Sequence, residues 1–221
     1  MLETRAEIDH PVASTAARIV VPVLALLLAM IGLGELLTKL LGEESGFNRY
    51  LAAHDTGPLD AVSEFFSLVG STPVIIGVTA VVAVILRLTL HRWPEPLFLC
   101  AAVSAQAIIF FFTTLVIDRQ RPHVRHLDAS PPTSSFPSGH TSAAVALYCG
   151  LALILATLAH RTWLQWLAWL LVLVPVSVAL SRLYRGMHHP SDVLASFLNG
   201  TLCVAIMWSA IVNRRARIAA S

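Results

Sequence analysis

Long apolar stretches alternate with short polar islands along this chain. Apolar runs cover about 19–41, 73–90, 96–117, 139–159, 163–180 and 193–212. Each is close to the ~20 residues a helix needs to cross ~30 Å of hydrocarbon. In lipid only helices and closed barrels satisfy their own backbone, and continuous rather than alternating apolar runs mean helices. The pattern predicts an all-α fold: a polytopic membrane helical bundle with six transmembrane helices, forming a single domain over 1–221. The first run is long for a signal-peptide core and lacks a clear cleavage site, so it reads as a retained helix. Residues 1 to about 17 are polar and mixed in charge, and read as a short cytoplasmic tail.

Residues 42–72 are polar, yet Leu59, Val62, Phe65, Phe66 and Val69 recur at helical spacing. This predicts a short amphipathic helix. Two placements fit it: flat in the membrane interface, or packed on the end of the bundle. Trp163, Trp166 and Trp169 recur near the start of one span, where the first two suit an interfacial anchor.

Composition narrows the class. The chain is 56% hydrophobic and only 13% charged, with mean hydropathy +0.73, whereas soluble domains carry about 25% charged residues. A net charge of +2 with no basic stripe gives no footprint for a nucleic acid. Cys100, Cys149 and Cys203 sit in apolar runs without metal-ligand spacing and read as buried small hydrophobes.

The polar islands carry the candidate chemistry. Arg119-Gln120-Arg121-Pro122 follows the third run, Pro137-Ser138-Gly139-His140 opens the fourth, and Ser181 to Asp192 joins the fifth to the sixth. With six spans, all three islands face the same side of the membrane. Taking the motif arginines as functional, the basic cluster Arg214, Arg215 and Arg217 puts the C-terminus inside and the islands on the extracytoplasmic face.

His188 precedes Asp192 by four residues; a carboxylate holding one ring nitrogen leaves the other with a free lone pair, as a nucleophilic imidazole requires. A structural His–Asp bond is the alternative. His140 is a second imidazole, suited to protonating a leaving oxygen. Ser138 and Gly139 stand where a helix begins, and the free N–H groups there form an anion site or simply an ordinary cap. Arg121 and Arg182 supply forked donors that match phosphate oxygens, although such arginines also anchor to headgroups. No acidic cluster for Mg²⁺ adjoins them, and Glu43 and Glu44 lie in another loop. His123 and His126 lie in a Pro-rich loop without a matching carboxylate pair, so no metal is expected there. Arg125 and Asp128 receive no role.

Together these residues resemble the type-2 phosphatidic acid phosphatase superfamily, the lipid phosphate phosphatases. Pro137 to His140 matches its second motif. Ser181, Arg182, His188 and Asp192 match its third, Ser-Arg, five residues, His, three residues, Asp. The first motif, Lys, six residues, Arg-Pro, matches at Arg121-Pro122 but has Thr114 where the family has Lys. The resemblance implies His188 as a nucleophile forming a phosphohistidine, Asp192 as its orienting partner and His140 as the acid. It implies Arg121, Arg182, Ser138 and Gly139 as a phosphate cradle. Arg119 is the expected stand-in for the missing lysine. No cofactor is implied.

The expected activity is removal of phosphate from a lipid phosphate or pyrophosphate, with undecaprenyl-type pyrophosphate, phosphatidate and phosphatidylglycerophosphate as candidates. The alternatives are phosphotransfer to a lipid hydroxyl through the same intermediate, and a non-catalytic phospholipid-binding or transport protein. The topology has a direct check. In a background without native cysteines, a cysteine replacing Ala129 is expected to react with an impermeant thiol reagent in intact cells. Labelling only after the cells are broken would reverse the orientation.

Overall fold

A computed structural model describes residues 10–41, 44–54, 56–129 and 133–213. Eight helices are traced: α1 (His10–Leu41), α2 (Ser45–Ala53), α3 (Gly57–Val69), α4 (Thr72–Leu90), α5 (Pro94–Val116), α6 (Gly139–Leu158), α7 (Thr162–Tyr184) and α8 (Pro190–Val212). A π-turn at Val145–Cys149 interrupts α6, a short 3₁₀ turn at Leu170–Val172 interrupts α7, and a π-turn at Trp208–Val212 closes α8. Prolines stand in the first turns of α3, α4, α5 and α8, where the missing N–H would have had no helical partner.

Six helices are long and apolar enough to span a membrane, as the hydrophobic pattern predicts. The protein is an all-α, multi-pass membrane bundle. The runs misplace several ends because hydropathy stops where the polar islands start, while the helical backbone continues. Helix α7 therefore carries Ser181 and Arg182, and α8 carries Ser191 and Asp192. Helix α1 begins at His10, inside the stretch read as a tail; residues 1–9 and the cluster Arg214, Arg215 and Arg217 lie outside the described residues. Helix α2, carrying Phe47, Tyr50 and Leu51 at helical spacing, adds a second short helix to the polar stretch where one is predicted.

The core is centred on α5, which packs on α1, α4, α6 and α8. Phe98, Leu99 and Ile109 of α5 are fully buried, with Met30 of α1 and Leu147 and Ile154 of α6 around them. Outward-facing positions remain apolar: Leu28, Leu88, Leu115 and Leu194 are all exposed, as befits surfaces that meet lipid rather than water. Trp163 and Trp166 are also exposed, at the start of α7. Cys203 is buried as expected, but Cys100 and Cys149 are only part-buried because each sits at a helix flank rather than in the core.

Helix α3 is amphipathic, as the helical spacing of its apolar residues predicts. Its serines, Ser63 and Ser67, are the buried face, and they pack toward α7. Leu59, Val62 and Phe65 point away from the protein. Of the two placements, the packing shows the helix capping the end of the bundle through a polar stripe, with an apolar stripe left exposed.

Gly200 sets the approach of α8 to α6. A Cβ there would lie 2.6 Å from the Cβ of Val145 and 2.8 Å from the carbonyl oxygen of Ser142. Gly77 has nothing within 4 Å. Gly200→Ala is expected to cost about 1–3 kcal/mol through overpacking, read as a lowered melting temperature in detergent, whereas Gly77→Ala leaves it unchanged.

Candidate active site

The ends of α1, α3, α5 and α7 and the starts of α4, α6 and α8 gather at one face of the bundle. The three polar islands meet there. They line a cavity of about 640 Å³ with Arg121, Gly139, His140, Arg182 and His188 on its polar side. Leu68, Ile75, Ile76, Val103 and Phe110 form an apolar side, contributed by α3, α4 and α5.

His188 lies in the turn between α7 and α8. Gly186 makes that turn with φ of +69°, and a Cβ there would lie 2.7 Å from the Arg125 carbonyl, so both its backbone and its surroundings call for glycine. The His188 ring is buried, and its Nδ1–H donates to the Ser135 carbonyl at 2.7 Å. A carbonyl oxygen only accepts, so Nδ1 carries the proton and Nε2 keeps the lone pair. The turn is pinned from α2: Asn48 Nδ2 donates to the carbonyls of Leu183 (2.9 Å) and His188 (3.0 Å). Burial, reinforced by the charges of Arg182 and Arg121, holds the His188 pKa well below its ordinary value, against the opposing pull of the Ser135 bond. The ring is neutral near pH 7.

The spacing suggests a hydrogen bond between Asp192 and His188, but His188 Nδ1 is taken by Ser135 and Asp192 bonds elsewhere. His188 precedes α8 rather than belonging to it, so the two are not stacked one turn apart. The carboxylate instead folds back on its own helix terminus, where Oδ2 accepts the His189 N–H at 2.8 Å in a capping box. First-turn carboxylates are drawn to those unpaired N–H groups. Oδ1 accepts from Arg119 Nη1 at 2.5 Å.

Arg119 is accordingly elsewhere than expected. It is buried, donates also to Ser191 Oγ at 2.8 Å, and does not line the cavity that holds His188 and His140. Glu44 joins this group, its Oε1 3.9 Å from Arg119 and its Oε2 accepting the Ser191 N–H at 3.1 Å, although the sequence places it in a separate loop. Thr114 hydrogen-bonds back to Phe111 within α5, and the helix ends at Val116, short of the arginines.

The other expected residues converge. Arg121 donates to the Met187 carbonyl at 2.8 Å, and Arg182 Nη1 donates to Ser67 Oγ at 2.6 Å and to Asp128. Both guanidinium groups keep a buried Nε without a partner among the described residues. Gly139 opens α6 against the Phe110 ring, which a Cβ would approach to 2.9 Å. Ser138 is the N-cap: its hydroxyl shares a hydrogen bond with Thr141 Oγ1 at 3.0 Å and its N–H donates to Ser196 Oγ at 2.7 Å. The side chain that faces the cavity beside Gly139 is His140.

Asp128, Arg185 and the serines Ser63 and Ser67 of α3 have no role in the sequence reading. Asp128 accepts from Arg182, from Arg185 Nε at 2.8 Å and from Ser67 at 3.0 Å. Arg185 also donates to Ser63 Oγ at 3.0 Å and to the Leu127 carbonyl at 3.0 Å. The Asp128 carboxyl is pushed up by burial but pulled further down by Arg185, Arg182 and Ser67, and it stays ionised. The signal available in the sequence was the Ser63/Ser67 pair four residues apart on one face of α3. Among the described residues no group of three or more His, Cys, Asp or Glu is arranged to hold a metal.

Fold and site define a polytopic membrane protein with a cationic, two-histidine pocket at one face. The profile of the PAP2 superfamily matches residues 95–216, and the chain belongs to that superfamily. It is 33% identical over 107 residues to the undecaprenyl-diphosphatase BcrC of Bacillus subtilis (strain 168), a match covering 47% of this chain and 48% of that protein, so it spans about half the length of this curated relative. The crystal structure of a transmembrane PAP2-type phosphatidylglycerolphosphate phosphatase from Bacillus subtilis shares the fold, with TM-score 0.72, 20% identity and 85% and 94% of the two chains covered. LpxE of Aquifex aeolicus shares it with TM-score 0.55, 23% identity and 73% and 92% covered.

The position of Arg119 is testable. Arg119→Ala leaves the buried Asp192 carboxylate without its cation, at a cost of about 3–5 kcal/mol. The expected result is a markedly lower melting temperature with orthophosphate affinity changed less than threefold in the folded fraction. A tenfold loss of phosphate affinity at unchanged melting temperature would instead put Arg119 in the cradle.

Proposed function

We propose that this protein is a membrane phosphatase that hydrolyses a lipid phosphate or pyrophosphate through a phosphohistidine on His188, without a metal or other cofactor. The observation that carries this reading is the tautomer of His188. Its Nδ1–H is held by Ser135 at 2.7 Å, and Nε2 remains the free nucleophilic nitrogen in a cavity shared with Arg121, Arg182 and His140.

The Nε2 lone pair attacks phosphorus and the bond to the leaving oxygen breaks. His140 gives that oxygen a proton. Water then attacks the phosphohistidine, returns a proton to His140 and frees phosphate. Arg121 and Arg182, with their unpartnered Nε groups, and the Gly139 N–H at the start of α6 hold the phosphoryl oxygens as charge develops. Ser138 supports Gly139 by capping α6. Asp192 and Arg119 hold the start of α8, and so the His188 turn, from behind.

The apolar wall formed by Leu68, Ile75, Ile76, Val103 and Phe110 supports a lipid substrate, since it offers an acyl or prenyl tail a path from the bilayer to the cradle. The likeness to an undecaprenyl-diphosphatase favours a prenyl pyrophosphate. The site is assigned to the extracytoplasmic face.

Phosphate release by the purified protein from a panel of lipid phosphates, in excess chelator, tests the reading. His188→Ala is expected to reduce release to background; a mutant near wild-type rate would sink the mechanism. A depressed His188 pKa means that the nucleophile stays neutral as pH falls through the ordinary histidine value of about 6.5. The acid limb of kcat at saturating substrate is therefore expected well below that pH, and a limb at or above it would contradict the burial-driven shift.

A further inference from the structure

Asp128 is a carboxylate in a site built for phosphate. It lines the same cavity as His188 and His140. One of its oxygens accepts from Arg182 Nη1 and from Ser67 at 3.0 Å; the other accepts from Arg185. A carboxylate presents to a guanidinium much the same pair of acceptor oxygens as a phosphate does. Part of the cradle is thus taken by the protein's own anion.

We propose that Asp128 is a selectivity residue: a fixed anion that competes with phosphate for Arg182, so that the cradle holds a phosphate carried on a lipid but releases free phosphate. This rests on the phosphatase reading above. The penalty of placing a phosphate beside Asp128 falls alike on a lipid headgroup and on orthophosphate. Only the lipid has a tail to set against it, along the wall of Ile75, Ile76, Val103 and Phe110. A protein whose product is an anion otherwise binds that product tightly between Arg121 and Arg182. The proposal holds whether phosphate displaces Asp128 from Arg182 or binds at the free Nε beside it, because the sign of the charge effect is the same.

A purely structural role predicts the opposite. If Asp128 only fastens the loop to α3 and α7, neutralising it loosens the cradle and weakens phosphate binding. Arg185 keeps Ser63 Oγ and the Leu127 carbonyl, each at 3.0 Å, and Arg182 keeps Ser67 at 2.6 Å, so a neutral residue at 128 leaves both arginines with acceptors.

The experiment measures the inhibition constant of orthophosphate against lipid-phosphate hydrolysis in wild type, Asp128→Asn and Asp128→Ser, with Asp118→Asn as a loop-charge control. Both neutral variants are expected to bind orthophosphate at least tenfold more tightly, with kcat lowered as release becomes limiting; Asp118→Asn is expected within twofold of wild type. Unchanged or weaker phosphate inhibition in the Asp128 variants overturns the proposal, as does failure of both to fold, since either assigns Asp128 to fastening alone. Wild-type protein that neither hydrolyses a lipid phosphate nor binds orthophosphate would locate the failure in the phosphatase reading itself, and the proposal falls with it.

Discussion

Arginines buried at the rim of an apolar bundle are the constraint on which this structure depends. Arg119, Arg182 and Arg185 are almost completely shielded from solvent. A guanidinium carries five N–H donors and stays charged, so each needs acceptors and a counter-ion brought to it. Asp192 and Asp128 are those counter-ions, and Ser63, Ser67 and Ser191 supply further acceptors. The requirement explains why α3 turns its serines inward and its leucines and phenylalanines outward, the reverse of a soluble amphipathic helix.

The two arginines facing the cavity each keep a buried donor without a partner among the described residues, as Arg119 does behind the site. Arg121 is held through one nitrogen by the Met187 carbonyl, and Arg182 through one nitrogen by Asp128 and Ser67, while the Nε of each has no partner among the described residues. Donors fixed in place and short of acceptors await an anion, and a site organised before its ligand arrives has little reorganisation left to undergo during reaction. His188 is treated similarly. Its backbone carbonyl is tied to Asn48 and its Nδ1 to Ser135, which leaves Nε2 as the one ring nitrogen available for chemistry.

The polar floor and apolar wall of one cavity match a molecule with a charged head and a hydrocarbon tail. Leu68 comes from α3, which also carries an exposed apolar stripe, and Ile75 and Ile76 come from the first two turns of α4. In the proposed function, the path of the lipid tail and the apolar stripe of α3 are thereby parts of one surface. Membership in the PAP2 superfamily rests on residues 95–216; α2 and α3 lie outside that span, yet they hold the His188 turn and the Arg182–Asp128 pair.

Local pattern alone determined the six spans, because membrane crossing depends on the length and continuity of apolar runs. It also determined that Arg121, Gly139, His140, Arg182 and His188 share one face, since span parity sorts the motifs by side. The pairings were beyond its reach. His188 and Asp192 are four residues apart, but the helix starts between them, and the partner of His188 is Ser135, fifty-three residues away. Arg119 stands two residues from a cradle arginine, yet its guanidinium goes to Asp192, seventy-three residues on. Asp128 showed no motif because its role depends on Arg182, Arg185 and Ser67 arriving from two other helices. Hydropathy is a sum over neighbours in the chain, whereas satisfying a buried charge is a matter of neighbours in space, and only the packed helices decide who those are.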